Sequence, residues 1–516
     1  NTGTVIALTG TSAELTTIVG NITFNDKING TVNDSANLDY ATLNTLISLS
    51  EVKSLTVSNQ TAFTETAANA TSLAALSEAN MNSAGDIVFA ANSTITSADA
   101  NFTQTTINNI FGDNGGKFTE VILNHNASLG GALTIPASHT LTNNSGKTIS
   151  INSGGSIVNS GTLTNNGTVT FAAANAALTA TGTTTLGGTV NINANTTLTC
   201  TSALTISNAF NIGGNTLTVA GTGNLSGGAI TFNNGSSILK RTGAGTIAND
   251  LNLNTASCKL DIDDAVTVSG DIVVAANATI DFAGNTLTYS GDAIDVGANT
   301  ITMTGTGSFT NTNNINLDNA NSLIELAGCT VKKINQSGDA ASSKGIDVAT
   351  TASTITTFTS AGQSRIALGA NLTITDDFDL EAKKMILSGT STLDGGTITL
   401  NNVDSLIQVE ANCTIDNDLD FTADSNSGKG LDIDNSCTIS GNLTTSANPI
   451  IDIDSSQTLT YSGAEFAIGT NTLNLLGDGT FDNTNNAITF STGTLDIDND
   501  ITFNGDIEIS GSTTID

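Results

Sequence analysis

Acidic side chains in short alternating runs are the residues of this sequence best suited to chemistry. In four places an aliphatic residue, an aspartate, a second aliphatic residue and a second aspartate follow one another, at 260–263, 431–434, 451–454 and 495–498. Alternation along a β-strand points the aliphatic side chains to one face and both carboxylates to the other. We favour solvent-facing strand surfaces as the interpretation of these runs.

The alternative interpretation is a calcium site formed by Asp432, Asp434, Asp452 and Asp454. Asp432 and Asp452 are one repeat of 20 residues apart, so their side chains are expected to stack about 5 Å from one another and repel. A hard cation such as Ca²⁺ relieves such repulsion. The glycine-rich nonapeptide of calcium-binding β-rolls and the EF-hand loop are both absent. Calcium is the one cofactor that the sequence suggests.

Two of the five cysteines are expected to be neighbours. Cys413 and Cys437 each open a Cys-Thr-Ile triplet and lie eight residues before equivalent positions of successive repeats. Stacking would bring their Cα atoms to about 5 Å, which is within the range of a disulfide. Buried thiols also stack as inert members of a ladder. We favour the thiol ladder slightly and keep the disulfide as the alternative.

The other polar residues form no recognised catalytic pattern. His125 and His139 lie in a stretch without acidic residues, and Asp376-Asp377 is the only adjacent acidic pair near an arginine, Arg365. Glycosidases need two carboxylates flanking the scissile bond. We expect Asp376 and Asp377 to lie in a loop or on an outer face, and we expect no enzymatic activity.

A regular spacing of apolar pairs indicates the elements that carry these residues. From about residue 149, two apolar residues separated by one polar residue recur every 20 to 22 residues, and a second alternating pair follows seven to nine residues later. The first series begins at Ile149/Ile151, Val169/Phe171, Val190/Ile192, Phe210/Ile212, Ile230/Phe232, Leu251/Leu253, Ile272/Val274, Ile294/Val296 and Ile315/Leu317, and it resumes at Phe378/Leu380. A fixed period of this length is typical of a solenoid.

The predicted fold is all-β, a right-handed parallel β-helix with coils of about 20–21 residues. Gly, Asn, Ser and Asp separate the strands, where the chain must turn corners. Residues 121–516 are predicted to form the β-helix rod, with irregular coils at 318–377 where the spacing is lost. About 19 coils, each adding one strand spacing, would make a rod of about 90 Å.

Residues 1–120 are predicted to be a separate segment that repeats a strand and a short helix. Ala-rich stretches recur at 11–15, 34–38, 65–69 and 97–101, and short β-runs precede three of them. Thr11 lies three residues before Glu14, the spacing of a capping box that opens a helix. We expect a wider solenoid segment stacked on the rod.

Two resemblances to known families follow from these motifs. Phrases such as Ala7-Leu8-Thr9-Gly10-Thr11-Ser12-Ala13-Glu14-Leu15 resemble repeats of very large bacterial surface proteins, and the 20-residue coils are similar to passenger regions of adhesins of the filamentous-haemagglutinin and autotransporter kind. The first covers under a quarter of the chain and the second concerns architecture. They imply an extracellular or cell-surface location.

The charge of the chain restricts its partners. With 14 Lys+Arg against 47 Asp+Glu, the formal net charge is -33, which repels nucleic acids and anionic membrane surfaces. No apolar stretch approaches the ~20 residues that cross a bilayer. We expect no nucleic-acid partner and no membrane insertion.

A rod derives its use from its length, surface and ends, because each coil contacts only its neighbours. The expected function is an extracellular structural protein: a surface filament, sheath, surface-layer component or adhesin stalk that self-assembles. Only residues 510–516 follow Ile507-Glu508-Ile509, so the final strand edge is expected to be an assembly interface or a chain boundary. Partners are then further copies or other surface components, and glycans if the chain is a carbohydrate-binding adhesin. A polysaccharide-degrading enzyme on the same scaffold is the other alternative.

Overall fold

The computed structural model describes residues 7–21, 28–32, 52–57, 62–65, 87–89, 93–97, 103–112, 118–498 and 500–516. These residues form a β-solenoid of about 19 coils with about 21 residues per coil. Two helices, Ser12–Asn21 and Gln104–Gly112, lie in the N-terminal part. The predicted fold class is confirmed. Neither helix has the length and apolarity needed to cross a membrane.

The solenoid divides into two compact units, which are described separately. Unit 1 comprises Asn1–Thr231 and Ser237–Asn249, and unit 2 comprises Phe232–Ser236 and Asp250–Asp516. In both units a coil contains three strands, and each strand pairs in parallel with the equivalent strands of the neighbouring coils. We name the three resulting sheets face 1, face 2 and face 3, in the order in which a coil visits them.

The strands of unit 1 are short and lie on all three faces. Face 1 contains Ala127–Leu129, Thr148–Ile151, Thr168–Phe171, Thr189–Ile192 and Phe210–Asn211, together with the first two residues of Ile230–Phe232. Face 2 contains Ala132–Ile135, Ser156–Asn159, Ala176–Ala180, Thr196–Cys200, Thr216–Ala220 and Ile238–Arg241. Face 3 contains Phe118–Leu123, Thr140–Asn143, Thr162–Asn165, Thr183–Leu186, Leu204–Ile206, Leu225–Gly227 and Gly245–Ile247.

The core of unit 1 lies inside the coils and follows the predicted alternation. In Thr168–Phe171, Val169 and Phe171 are buried while the alternating threonines face outward. Val169 pairs with Ile149 in the preceding coil and with Val190 in the following one. The apolar pairs therefore stack coil upon coil, which explains their constant spacing.

The N-terminal strands are also parallel. Ala7–Gly10, Ile28–Val32, Val52–Val57 and Ile87–Phe89 form one four-stranded sheet. Ala62–Glu65 pairs with Ser93–Ser97, which pairs with Phe118–Leu123 and so joins face 3. The strand Ser93–Ser97 thus stacks directly on the first strand of face 3.

The predicted capping box opens the first helix. The backbone N–H of Thr11 donates to Glu14 Oε2 at 2.8 Å, and the Glu14 N–H donates to Thr11 Oγ1 at 3.3 Å. These two bonds use donors that a helix terminus leaves without intrahelical partners. The three other Ala-rich stretches lie largely or wholly outside the described residues.

Unit 2 also consists of coils with three strands each. Face 1 contains Leu251–Leu253, Ile272–Val274, Ile294–Asp295, Ile315–Leu317, Phe378–Asp379, Ile398–Leu400, Leu419–Phe421, Leu443–Thr445 and Phe466–Gly469. Face 2 contains Cys258–Ile262, Ala278–Asp281, Thr300–Thr304, Leu323–Ala327, Gly345–Val348, Ser364–Leu368, Lys384–Gly389, Leu406–Val409, Gly430–Ile433, Ile450–Ile453, Thr472–Gly477, Thr494–Ile497 and Thr514–Ile515. Face 3 contains Val266–Val268, Thr286–Tyr289, Ser308–Asn311, Leu372–Ile374, Thr392–Gly395, Thr414–Ile415, Cys437–Ile439 and Thr458–Tyr461. Four longer strands run through face 3 into face 1: Thr330–Gln336, Ser353–Ser360, Thr480–Phe490 and Thr502–Ile509.

The irregular stretch predicted at 318–377 contains regular coils with unusual core residues. Ile315 pairs with Ile334, and Ile334 pairs with Phe358, so the stacking continues. The second inward position of these two coils is polar, because Gln336 and Ser360 are buried where other coils have an aliphatic residue. The apolar spacing is therefore lost from the sequence although the coils persist.

Buried asparagines stabilise corners between face 3 and face 1. Asn143 Nδ2 donates to Asn165 Oδ1 of the next coil at 2.6 Å, and Asn165 Nδ2 donates to the Gly167 carbonyl at 2.9 Å. Asn311 Nδ2 likewise donates to two backbone carbonyls, those of Asn313 and Lys333. Backbone groups at a buried corner need such partners.

Candidate functional site

The four aspartates predicted to lie together occupy adjacent coils on face 2 of unit 2. Asp432 lies on Gly430–Ile433 and Asp452 on Ile450–Ile453, and the two residues are directly paired in the parallel register. Asp434 and Asp454 follow the ends of these strands. The aliphatic residues that alternate with the acids, among them Leu431 and Ile433, are fully buried. The four carboxylates therefore form one cluster on the outer surface of two coils.

Simultaneous ionisation of all four carboxylates in this cluster is energetically unfavourable. Partial burial, the charge of Asp434, a hydrogen bond with Asp434 and the charges of Asp452 and Asp454 together raise the pKa of Asp432 to about 7. The pKa of Asp452 is also raised, first by burial and then by Asp454 and Asp434. Near neutral pH the Asp432 carboxyl is therefore partly protonated.

Gln408 on the preceding coil is a polar neighbour of the cluster. Gln408 pairs in register with Asp432, and its Nε2 donates to Asp434 Oδ2 at 2.5 Å. Within the part of the chain that the structure describes, no three His, Cys, Asp or Glu side chains are arranged to hold a metal ion. Calcium binding by Asp432, Asp434, Asp452 and Asp454 stays a prediction.

Cys413 and Cys437 are stacked on adjacent coils of face 3. Thr414 pairs with Thr438, and the Thr438 N–H donates to the Cys413 carbonyl at 3.1 Å. Both side chains are buried free thiols in the structure. Burial raises the pKa of Cys413 to about 11, and burial together with the neighbouring Cys413 raises the pKa of Cys437 further. Neither thiol is poised to act as a nucleophile.

The residues considered for catalysis have structural partners. Arg365 forms an ion pair with Glu410. Asp376 accepts a hydrogen bond from Thr357 Oγ1 at 2.7 Å, and Asp377 accepts one from the Thr397 N–H at 2.7 Å. The two hydrogen bonds tie neighbouring coils together, and the ion pair joins two coils that are not adjacent.

The two histidines are buried in unit 1. His139 packs edge-on against Phe111 with ring centroids 5.2 Å apart, and its Nδ1 lies 3.0 Å from the Ala137 carbonyl oxygen. His125 is 6% exposed. Their surroundings are those of core side chains.

A cavity of about 310 Å³, which was not predicted from the sequence, lies on face 2 of unit 2. The charged residues that line it are Lys344, Asp347, Arg365 and Glu410. The segment before Lys344 is held in place, because the Ala340 N–H donates to the Gln363 carbonyl at 2.9 Å. The cavity is thus a preformed depression with both charge signs.

Sequence reasoning also missed an internal duplication within unit 2. The hexapeptide Thr-Leu-Thr-Tyr-Ser-Gly occurs at 286–291 and again at 458–463, and Leu-Asp-Ile-Asp at 260–263 recurs at 431–434. The two tyrosines have the same contacts: Tyr289 accepts from Ile272 N–H and donates to the Asp292 carbonyl, and Tyr461 accepts from Leu443 N–H and donates to the Ala464 carbonyl. We call residues 258–314 the first copy and residues 429–486 the second copy.

The equivalent carboxylates in the first copy have a different partner. Asp261 and Asp281 pair in register as Asp432 and Asp452 do. Lys259 Nζ lies 3.4 Å from Asp261 Oδ1 and 2.7 Å from Asp281 Oδ2, so one ammonium bridges both coils. In the second copy the position of Lys259 is taken by Gly430.

Comparison of the chain with protein-family models, with curated proteins and with solved structures finds no significant match. The duplicated segment within the chain is therefore the internal reference for its candidate site.

Proposed function

We propose that this protein is an extracellular structural protein that forms a rod-like surface filament, sheath, surface-layer component or adhesin stalk. The observation that carries the proposal is the continuous coil-on-coil register, in which each coil binds chiefly to its neighbours. Such an architecture is suited to spanning distance. A location at the cell surface or outside the cell, and assembly with further copies or other surface components, are parts of the same proposal.

The outward surface of unit 1 supports this role. Thr142, Thr164, Thr185 and Thr205 are directly paired on four successive coils of face 3. Uncharged hydroxyl columns of this kind offer little apolar area for nonspecific contacts. The net charge of -33 adds a repulsion that keeps separate molecules soluble.

Electron microscopy and sedimentation velocity of the purified full chain test the proposal. We expect a high frictional ratio and particles much longer than wide, with filaments at higher protein concentration. Antibody labelling of intact source cells is expected to reach the protein. A sedimentation coefficient typical of a compact sphere, or labelling only after cell lysis, would contradict the proposal.

We propose no catalytic role, and the alternative of a polysaccharide-degrading enzyme has a direct test. Release of reducing ends from a panel of neutral and acidic polysaccharides is expected to stay at the level of a blank. Activity that disappears in an Asp376→Asn/Asp377→Asn variant would overturn this expectation.

The cavity beside Lys344 favours glycan binding as a second candidate function. Its lining combines an ammonium, a carboxyl and an ion pair, and such groups hydrogen-bond sugar hydroxyls. Glycan-array binding that persists at high salt and is lost in Lys344→Met but kept in Lys429→Met would support it. Equal signals from all three proteins would show that the cavity takes no part.

A further inference from the structure

One edge of face 2 in unit 1 is closed by a helix and not by a strand. Among the strands that the structure describes, Ala132–Ile135 pairs with Ser156–Asn159 alone. The helix Gln104–Gly112 lies along its opposite edge. On face 3 the sheet is extended by a strand instead, because Ser93–Ser97 pairs with Phe118–Leu123. At this coil, face 2 therefore ends on a helix whereas face 3 continues.

Two amide side chains of the helix make the hydrogen bonds that a neighbouring strand would make. Gln104 Oε1 accepts from the Gly131 N–H at 2.9 Å, and Gln104 Nε2 donates to the Ala132 carbonyl at 2.7 Å. Asn108 Nδ2 donates to the same carbonyl at 2.8 Å, and Asn108 Oδ1 accepts from the Thr134 N–H at 2.9 Å. Side chains thus satisfy backbone donors and an acceptor along a strand edge, which would otherwise be open to pairing.

The spacing of the two amides matches the strand. Residues four apart lie on one face of a helix and about 6 Å apart along its axis, which is close to the ~6.8 Å between alternate residues of a strand. Gly131 lets the first amide approach, because a Cβ on this residue would lie 3.1 Å from Gln104 Nε2. Ile107 and Phe111 anchor the helix, since both are buried and Phe111 packs edge-on against His139. The closed edge is therefore built by residues on both elements.

An open strand edge of this kind takes up another strand. The opposite edge of Ala132–Ile135 shows which strands fit, because there Leu133 pairs with Ile157 and both side chains are buried. A second copy of the chain presents the same alternation of inward and outward residues at the same edge. Two identical edges can pair in antiparallel across a two-fold axis, so that each satisfies the other.

We propose that the edge of Ala132–Ile135 is a docking edge for the same edge of a second copy, and that Gln104 and Asn108 keep it closed. The helix thus determines whether unit 1 associates through face 2. This inference does not depend on the proposed surface role, because it concerns one strand edge in a single coil and applies equally to a chain that forms no filaments.

Removal of the two amides tests the proposal. Gln104→Ala/Asn108→Ala deletes all four side-chain bonds to the edge and introduces a residue that favours helix. Thr105→Ala is the matched control, because Thr105 lies on the same helix and is exposed. Hydrogen exchange and light scattering of the full-length chains are measured over a range of protein concentrations at which the wild type is monomeric.

The double variant is expected to lose protection at the edge and then to dimerise. At low concentration the amides of residues 131–134 should exchange about tenfold faster than in the wild type. As the concentration rises, their protection should return while the mass doubles. The wild type and Thr105→Ala are expected to stay monomeric and protected. Peptides covering 156–159, on the opposite edge, should keep their protection in every chain, which checks that the coil is intact.

Three results would contradict the proposal. A double variant that loses the protection but stays monomeric would show that the edge does not dock, and so would irregular aggregates without a discrete dimer. Unchanged protection would show that the amides do not close the edge. The single variant Asn108→Ala, which frees the Thr134 N–H, is expected to dimerise at about tenfold higher concentration than the double variant. It keeps the proposal testable if the double variant does not fold.

Discussion

Arg365 and Glu410 form a two-point ion pair across two coils. Nη1 and Nη2 of Arg365 each lie 3.1 Å from one oxygen of Glu410, although 45 residues separate the two. Ala367 and Ser388 lie beside them on face 2, and these small side chains leave room for the arginine to reach across the intervening coil. The pair ties together coils that share no backbone hydrogen bond.

We predict a measurable coupling between these two residues. A double-mutant cycle of Arg365→Met and Glu410→Gln is expected to give about 0.5–1 kcal/mol in urea unfolding, because both side chains are partly exposed. The coupling should shrink at high salt. A value of zero at low salt would show that the ion pair adds nothing to stability.

Removing the Tyr461 hydroxyl should destabilise unit 2. Tyr461→Phe leaves the Leu443 N–H and the Ala464 carbonyl without this partner, at a cost of about 1–3 kcal/mol. Tyr289→Phe should behave alike, because it loses the equivalent contacts. The outward Thr460→Ala should change the free energy of unfolding by less than about 0.5 kcal/mol. Similar values for all three variants would contradict this account.

The cysteines should be inert in the folded chain. All five are buried, and burial raises the pKa of Cys200, Cys329 and Cys413 to about 11. Iodoacetamide at pH 8 is expected to label none in the native protein and all five after unfolding without reductant. Labelling of only three unfolded thiols, with Cys413 and Cys437 unmodified, would establish the disulfide alternative.

Calcium binding at the carboxylate cluster has its own test. If Asp432, Asp434, Asp452 and Asp454 take Ca²⁺, millimolar Ca²⁺ should raise the melting temperature of the chain relative to EDTA, because binding to the folded state alone stabilises it. Asp434→Asn/Asp454→Asn should abolish the increase. Identical melting temperatures in Ca²⁺, Mg²⁺ and EDTA would contradict calcium binding by these residues.

Much of the fold could be predicted because the same physical constraint repeats in every coil. Inward positions such as Val169 and Phe171 must be apolar, so the coil length is visible as a spacing. Thr11 and Glu14 could be predicted to cap a helix because a capping box is local in sequence. Where Gln336 and Ser360 replace aliphatic residues inside, that spacing disappears, and only the three-dimensional register shows that the coils continue.

The electrostatics of the candidate site were less predictable, because the charged partners of a carboxylate can be distant from it in the sequence. The pairing of Asp432 with Asp452 followed from the coil length. That Lys259 bridges the equivalent Asp261 and Asp281 depends on side-chain reach across a coil boundary. The partnership of Arg365 with Glu410, two coils away, was likewise hidden, and proximity in sequence suggested Asp376 and Asp377 instead.

The duplicated segment also bears on how the gene can change. Its copies begin on face 2 strands Cys258–Ile262 and Gly430–Ile433, which are separated by whole coils. Unequal recombination between the two stretches would insert or delete complete coils and leave strands of matching phase at the junction. Such an event would change the chain length by whole coils, and the strands on either side of the junction would still pair correctly.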